Sequence, residues 1–139
     1  GQTSALLNLG SAHHALRQLD QAIAFYEQSL QRAQATGDRI NEARVLGSLG
    51  LAYEDKKDFP KALAYHQQSL ALARSLNDPE AQSMALNNLA HTQFEAGQLA
   101  EAEANLREAI RLLDGLRPEL NDAYKVSIFD TQIHTYSLL

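Results

Sequence analysis

Cysteine and tryptophan are absent from these 139 residues, and proline occurs only three times. The lack of cysteine excludes a disulfide framework. So little proline, alongside 45% hydrophobic residues, argues for an ordered helical chain over a disordered one. A basic excess is also missing. Twelve Lys and Arg face seventeen Asp and Glu, for a net charge of −5, which leaves no field to attract phosphate backbones or acidic lipid. Nucleic acid and membrane partners are therefore disfavoured. No apolar run is long enough to span a bilayer and no stretch resembles a signal peptide, so the expected setting is cytoplasmic.

What the chain does have is repetition. Glu42 to Ala73, EARVLGSLGLAYEDKKDFPKALAYHQQSLALA, reads as a helical hairpin. Leu46, Leu49, Gly50, Ala52 and Tyr53 recur at helical spacing, a break follows at Lys57 to Phe59, and Ala62, Leu63, Tyr65, Ser69, Leu70 and Ala73 resume the spacing. A shift of forty positions superposes Leu6, Leu46 and Leu86; Leu9, Leu49 and Leu89; Gly10, Gly50 and Ala90; and Ala22, Ala62 and Ala102. A fixed period of this size signals a solenoid, in which each hairpin buries its apolar face by stacking on the next. One array is expected over 1–139, with repeats at about 2–38, 39–78 and 79–117 and the first helix of a fourth at 118–139. The punctuation agrees: Gly37 and Asp38 read as a C-cap and then an N-cap, Pro60 and Pro79 fall in first turns, and Gly97 and Gly115 end helices. Tight crossings are expected where Gly10 and Gly50 meet Ala22 and Ala62. The first helix starts with no polar cap before it, so the chain reads as cut there. It would then associate with itself through that helix or through the seventh, over about 119–138.

Leu9, Gly10, Tyr26, Ser29, Tyr53, Ala62 and their copies resemble the pattern of the tetratricopeptide repeat. The match departs where that family often has Trp, here Leu6, Leu46 and Leu86, and where it often has Pro, here Gln34, Arg74 and Asp114. The forty-residue period is similar to the long-helix variety found in kinesin light chain and related bacterial arrays. The resemblance implies an all-α, right-handed superhelical solenoid of about seven helices that acts as a scaffold for protein–protein interaction. The closing NDAYKVSIFDTQIHTYSLL resembles the end of the array in bacterial, notably cyanobacterial, proteins that join such repeats to a caspase-like CHAT domain. That resemblance implies an alternative role as a regulatory or structural arm of a larger protein. The CHAT domain relies on a His and a Cys, so its catalytic part is not in this sequence.

In that family the inner face is lined by the first helix of each hairpin. The corresponding positions are Ser4, Leu7, Asn8, Ser11 and His14; Arg44, Gly47, Ser48, Leu51 and Glu54; and Met84, Asn87, Asn88, His91 and Phe94. Tyr124, Ser127, Ile128, Thr131 and His134 continue the series. Asn8 and Asn88 are the sharpest candidates for peptide contact, because an amide both donates to and accepts from an extended backbone; Ser48 breaks their series. Leu51, Met84 and Phe94 make the middle of the groove partly apolar. The chaperone-tail clamp of the family needs Lys and Asn on the first helix and Lys and Arg on the fifth, where Leu7, Ser11, Met84 and Asn88 stand, so no cation meets a carboxylate terminus and it is not the expected ligand. His13 and His14 point to different sides of a helix, and His91 with His134 lacks a third ligand, so no metal site is expected. With no nucleophile elbow, phosphate loop or HExxH, neither catalysis nor a cofactor is expected.

Overall fold

Six helices account for nearly all of residues 2–116, which are the residues described by the computed structural model. They are α1 (Gln2–Ala15), α2 (Leu19–Thr36), α3 (Arg39–Asp55), α4 (Phe59–Ser75), α5 (Pro79–Glu95) and α6 (Leu99–Leu116), and no strand occurs among the described residues. They pair as three antiparallel hairpins. The seventh helix expected at 119–138 lies outside the described residues, as do Tyr124, Ser127, Ile128, Thr131 and His134.

Between the helices the chain turns in one way every time. Arg17, Gly37, Lys57, Asn77 and Gly97 all have φ between 52° and 84°, so a left-handed residue recurs every twenty positions. The residue after each donates its N–H to the carbonyl five positions back: Gln18 to His13, Asp38 to Ala33, Asp58 to Tyr53, Asp78 to Ala73 and Gln98 to Gln93, at 2.7–3.2 Å. This Schellman closure satisfies carbonyls that the helix end would otherwise leave open. The next helix then starts at once. Asp38, Asp58 and Asp78 accept from the backbone N–H groups of Asn41, Lys61 and Ala81, whereas Gln18 makes no such bond. Left-handed backbone costs a residue with a Cβ roughly 1–2 kcal/mol, part of which glycine's greater unfolded entropy offsets. Lys57→Gly is therefore expected to stabilise the chain by about 0.5–1 kcal/mol and Gly97→Ala to destabilise it by about 1 kcal/mol, both read by urea denaturation.

Each helix packs on its neighbour in sequence, while α1 also touches α3 and α3 touches α5, so the odd-numbered helices meet along one face. The first core runs through α1 to α4, with Leu7, Tyr26, Val45, Leu49 and Ala52 at its centre. A second joins Leu70 to Leu86, Leu89 and Ala109, and a third holds Ala90, Phe94, Ala102 and Leu106. Leu9 departs from the expected series. Its copies Leu49 and Leu89 are buried against the preceding hairpin, but nothing among the described residues precedes α1, and Leu9 is 45% exposed.

The tight crossings also differ from expectation in their partners. Ala22 and Ala62 are buried, yet a Cβ on Gly10 would lie 2.5 Å from Tyr26 ring carbons, and one on Gly50 would lie 2.4 Å from Cε1 of His66. The ring four residues further along the second helix fills the groove that glycine opens. In the third hairpin the equivalent pair is Ala90 with Leu106, a larger first residue meeting a slimmer second one. A hydroxyl shows the same kind of exchange. Ser29 donates to the carbonyl of Thr3 and Ser69 to that of Ala43, at 2.9 and 3.0 Å. The third hairpin has Ala109 at that position, and there Ser83 of the facing helix donates to the Ala109 carbonyl instead.

Candidate functional site

The shared face of α1, α3 and α5 carries the positions named above, and burial sorts them. Asn8, Ser11, Arg44 and Asn87 are exposed, and Ser4, Ser48, Asn88 and His91 are partly so. Leu51 is 37% and Met84 68% exposed, so neither is consumed by packing between helices. Arg44 donates to Asn41 at 3.2 Å through one guanidinium nitrogen. Leu7 and Phe94, in contrast, belong to the core. Phe94, the expected apolar anchor of the groove, instead packs beside Ala90, Ala102 and Leu106, because the last turn of α5 is covered by the returning α6. Glu54, at the same position one hairpin earlier, is also buried, at 6% exposure.

A buried carboxylate needs compensation. Glu54 finds it on the next hairpin: His91 Nδ1 lies 3.1 Å from Oε2, and the Thr92 hydroxyl donates to Oε1. Burial raises the carboxyl, but these hydrogen bonds outweigh it and hold Glu54 below the usual range. The same contact with Glu54 raises His91, against a smaller effect of its own burial. One hairpin earlier, His14 Nε2 lies 2.6 Å from Asp55 Oδ2, and Arg17 reaches the same oxygen at 3.2 Å. Imidazole–carboxylate contacts thus pin each junction along this face. Sequence reasoning finds Glu54, Asp55, His91 and His14 individually but not Thr92 or the pairing. The only hint is that all of these residues fall in the last turns of the odd-numbered helices.

Behind this face lies His66, with no exposed surface and, among the described residues, no hydrogen-bond partner for either ring nitrogen. It fills the space opened by Gly50. Burial, helped by the charge of His91 and opposed by that of Glu54, pushes its pKa down to about 4.

The family model described as tetratricopeptide repeat matches residues 2–75 and again 49–114. The chain belongs to the tetratricopeptide repeat family. Solved structures agree on the fold. BtubC from P. vanneervenii superposes with a TM-score of 0.78 at 26% identity, over 83% of this chain and 48% of its own, so the chain spans about half the length of that relative. The TPR domain of FLU from Arabidopsis superposes with a TM-score of 0.76 at 20% identity, over 82% of this chain and 96% of that domain. Aspartyl phosphate phosphatase F from Bacillus subtilis does so with a TM-score of 0.79 at 16% identity, over 92% of this chain and 32% of its own. No curated protein matches the sequence. Within the tetratricopeptide fold, the face lined by α1, α3 and α5 is the inner one. No helix among the described residues is long and apolar enough to cross a membrane.

Proposed function

We propose that this tetratricopeptide array is a protein-interaction module whose inner face holds an extended peptide or a partner segment of neutral or mixed charge. The observation that carries this reading is the exposure of Leu51 and Met84 among polar neighbours on that face. In water two such side chains gain from being covered, each contributing about 1.5–3 kcal/mol when fully buried. Asn8 and Asn88 flank them with paired donors and acceptors that suit a peptide backbone, and Ser11, Ser48 and Asn87 extend that lining. Hydrophobic anchors within a polar rim are the usual economy of a peptide groove. Arg44 at one side and the carboxylates of Asp55 and Glu95 at the other leave no field of a single sign to select ligand charge.

A random-peptide display library selected on the whole chain tests this. Selected peptides should carry one or two hydrophobic anchors. They should lose at least about tenfold in affinity for an Asn8→Ala, Met84→Ala, Asn88→Ala triple variant. Their affinity should change less than about threefold between roughly 50 and 200 mM salt, because few charges pair across the interface. Undiminished binding to the triple variant would contradict the proposal, and so would a salt dependence of orders of magnitude.

A further inference from the structure

Three side chains capable of binding a metal meet where α3 packs against α5. His91 and Glu95 stand one turn apart on α5, with Nε2 3.7 Å from Oε1, and Glu54 of α3 approaches the other ring nitrogen, Nδ1, from the second hairpin at 3.1 Å. One ligand atom from each of the three lies within 4.8 Å of the others. An i, i+4 pair on one helix face with a third ligand from a neighbouring helix is a spacing that metal sites use, because it sets donors on one side of a cation and leaves the other side open.

Two further features favour a cation here. Glu54 is almost wholly buried, so its charge must be balanced from within the protein. Its two oxygens are also unequally engaged. Thr92, itself fully buried, holds Oε1 and fixes the carboxylate plane, while His91 Nδ1 lies 3.1 Å from Oε2 and 3.3 Å from Oε1. Orientation of a ligating carboxylate by a hydroxyl is how outer residues prepare a metal site. Glu95 is exposed and His91 half-buried, which leaves an entry path from the inner face. One imidazole and two carboxylates carry a formal charge of −2 when His91 is neutral, which matches a divalent ion. A nitrogen donor favours zinc-class metals over magnesium.

We propose that Glu54, His91 and Glu95 form a binding site for a divalent transition metal of the zinc class, clamping the second hairpin to the third. Each residue supplies one ligand, and water or a group from a bound partner completes the coordination. Small side-chain rotations bring the ligand atoms to the roughly 2.0–2.2 Å bonds that zinc takes with nitrogen and oxygen. The ion replaces the proton of His91 as the charge that balances Glu54. Residue order alone offers His91 and His134 as the pair to consider, with no sign that two carboxylates from different helices converge on His91.

The test is titration of the chelator-stripped whole chain with zinc chloride by calorimetry, and with cobalt(II) by visible absorption. The expected result is one zinc per chain with a Kd of about 10 μM or tighter, together with the intense cobalt absorption of a low-coordinate site. Magnesium at about 1 mM should not compete. Glu95→Gln and His91→Gln should each weaken zinc binding about tenfold or more. Glu95→Gln should melt like the parent without metal, because the side chain is exposed. His13→Gln, on the other side of α1, should bind as the parent does. Failure to bind zinc at about 100 μM would overturn the proposal. So would parent-like affinity in Glu95→Gln and His91→Gln, or an equal loss in His13→Gln. None of these results depends on whether the inner face binds peptide.

Discussion

Acidification from pH 7 to pH 4 is expected to remove about 3 kcal/mol of stability through His66 alone. The ring is sealed in the core with both nitrogens unpartnered among the described residues, and burial lowers its pKa from 6.5 to about 4. The unfolded chain therefore takes up the proton first. The contribution is fully present above about pH 6.5 and is lost as pH falls from there through about 4, at roughly 1.4 kcal/mol for each pH step between the two values. The groups that act on His66 have their own windows. Glu54, with a lowered pKa, contributes above 4.5 and loses that contribution below it; His91, with a raised pKa, contributes below 6.5 and loses that contribution as pH rises through its folded value. Comparison with His66→Leu isolates the buried ring, since Leu106 fills the same position in the third hairpin. That variant removes two unpaired buried nitrogens and should gain about 1–3 kcal/mol at pH 7, and more at pH 4.5. Urea denaturation at pH 7, 5.5 and 4.5 reads the difference. Parallel curves for parent and variant would contradict this account of His66.

The second large effect belongs to Gly50. A Cβ there would lie 2.4 Å from Cε1 and 2.6 Å from Nδ1 of His66. The ring cannot swing away, because it is fully enclosed. Gly50→Ala must part α3 from α4 or force His66 off its rotamer, and overpacking of this kind costs about 1–3 kcal/mol. Gly50→Leu should cost at least as much. Alanine's higher helix propensity, worth up to about 1 kcal/mol in an exposed helix, would act in the opposite direction, so a loss of stability is a demanding expectation. At Gly47 on the same helix a Cβ would meet only Ser69 Oγ, at 3.9 Å, and there Gly47→Ala should be neutral or stabilising.

The repeat register, the helix starts at Asp38 and Asp78 and the turns at Gly37 and Gly97 can be read from residue order, because each is a local feature with a local chemical cause. The left-handed turn at Lys57 is harder to recognise, since lysine does not advertise that backbone and only the break in helical spacing and the twenty-residue interval from Gly37 mark it; Asn77 is of a type that adopts it more readily. The crossing partners differ from expectation by one helical turn. Reach across a helix interface depends on side-chain length, and Tyr26 and His66 extend back over the glycines from one turn beyond Ala22 and Ala62. Within the candidate site, Asn8, Arg44, Leu51 and Met84 keep the exposure expected of groove residues. Phe94 and Glu54 do not, because helical spacing gives the angle of a side chain about its own helix and not how far the next helix covers its last turn. The convergence of Glu54, His91 and Glu95 arises only when two hairpins stack.

Every inner-face residue named above owes its position to a single forty-residue register shared by three hairpins, and the pair at positions 50 and 66 exposes that register to direct measurement. The third hairpin solves the same crossing with Ala90 and Leu106, so the double substitution Gly50→Ala, His66→Leu grafts its solution onto the second. In a double-mutant cycle followed by urea denaturation at pH 7, Gly50→Ala should be clearly destabilising alone. It should cost at least about 1 kcal/mol less when His66→Leu is present, a coupling within the range seen for residues in contact. Additive effects within about 0.3 kcal/mol would mean that the two positions do not share a crossing, and the register would be contradicted.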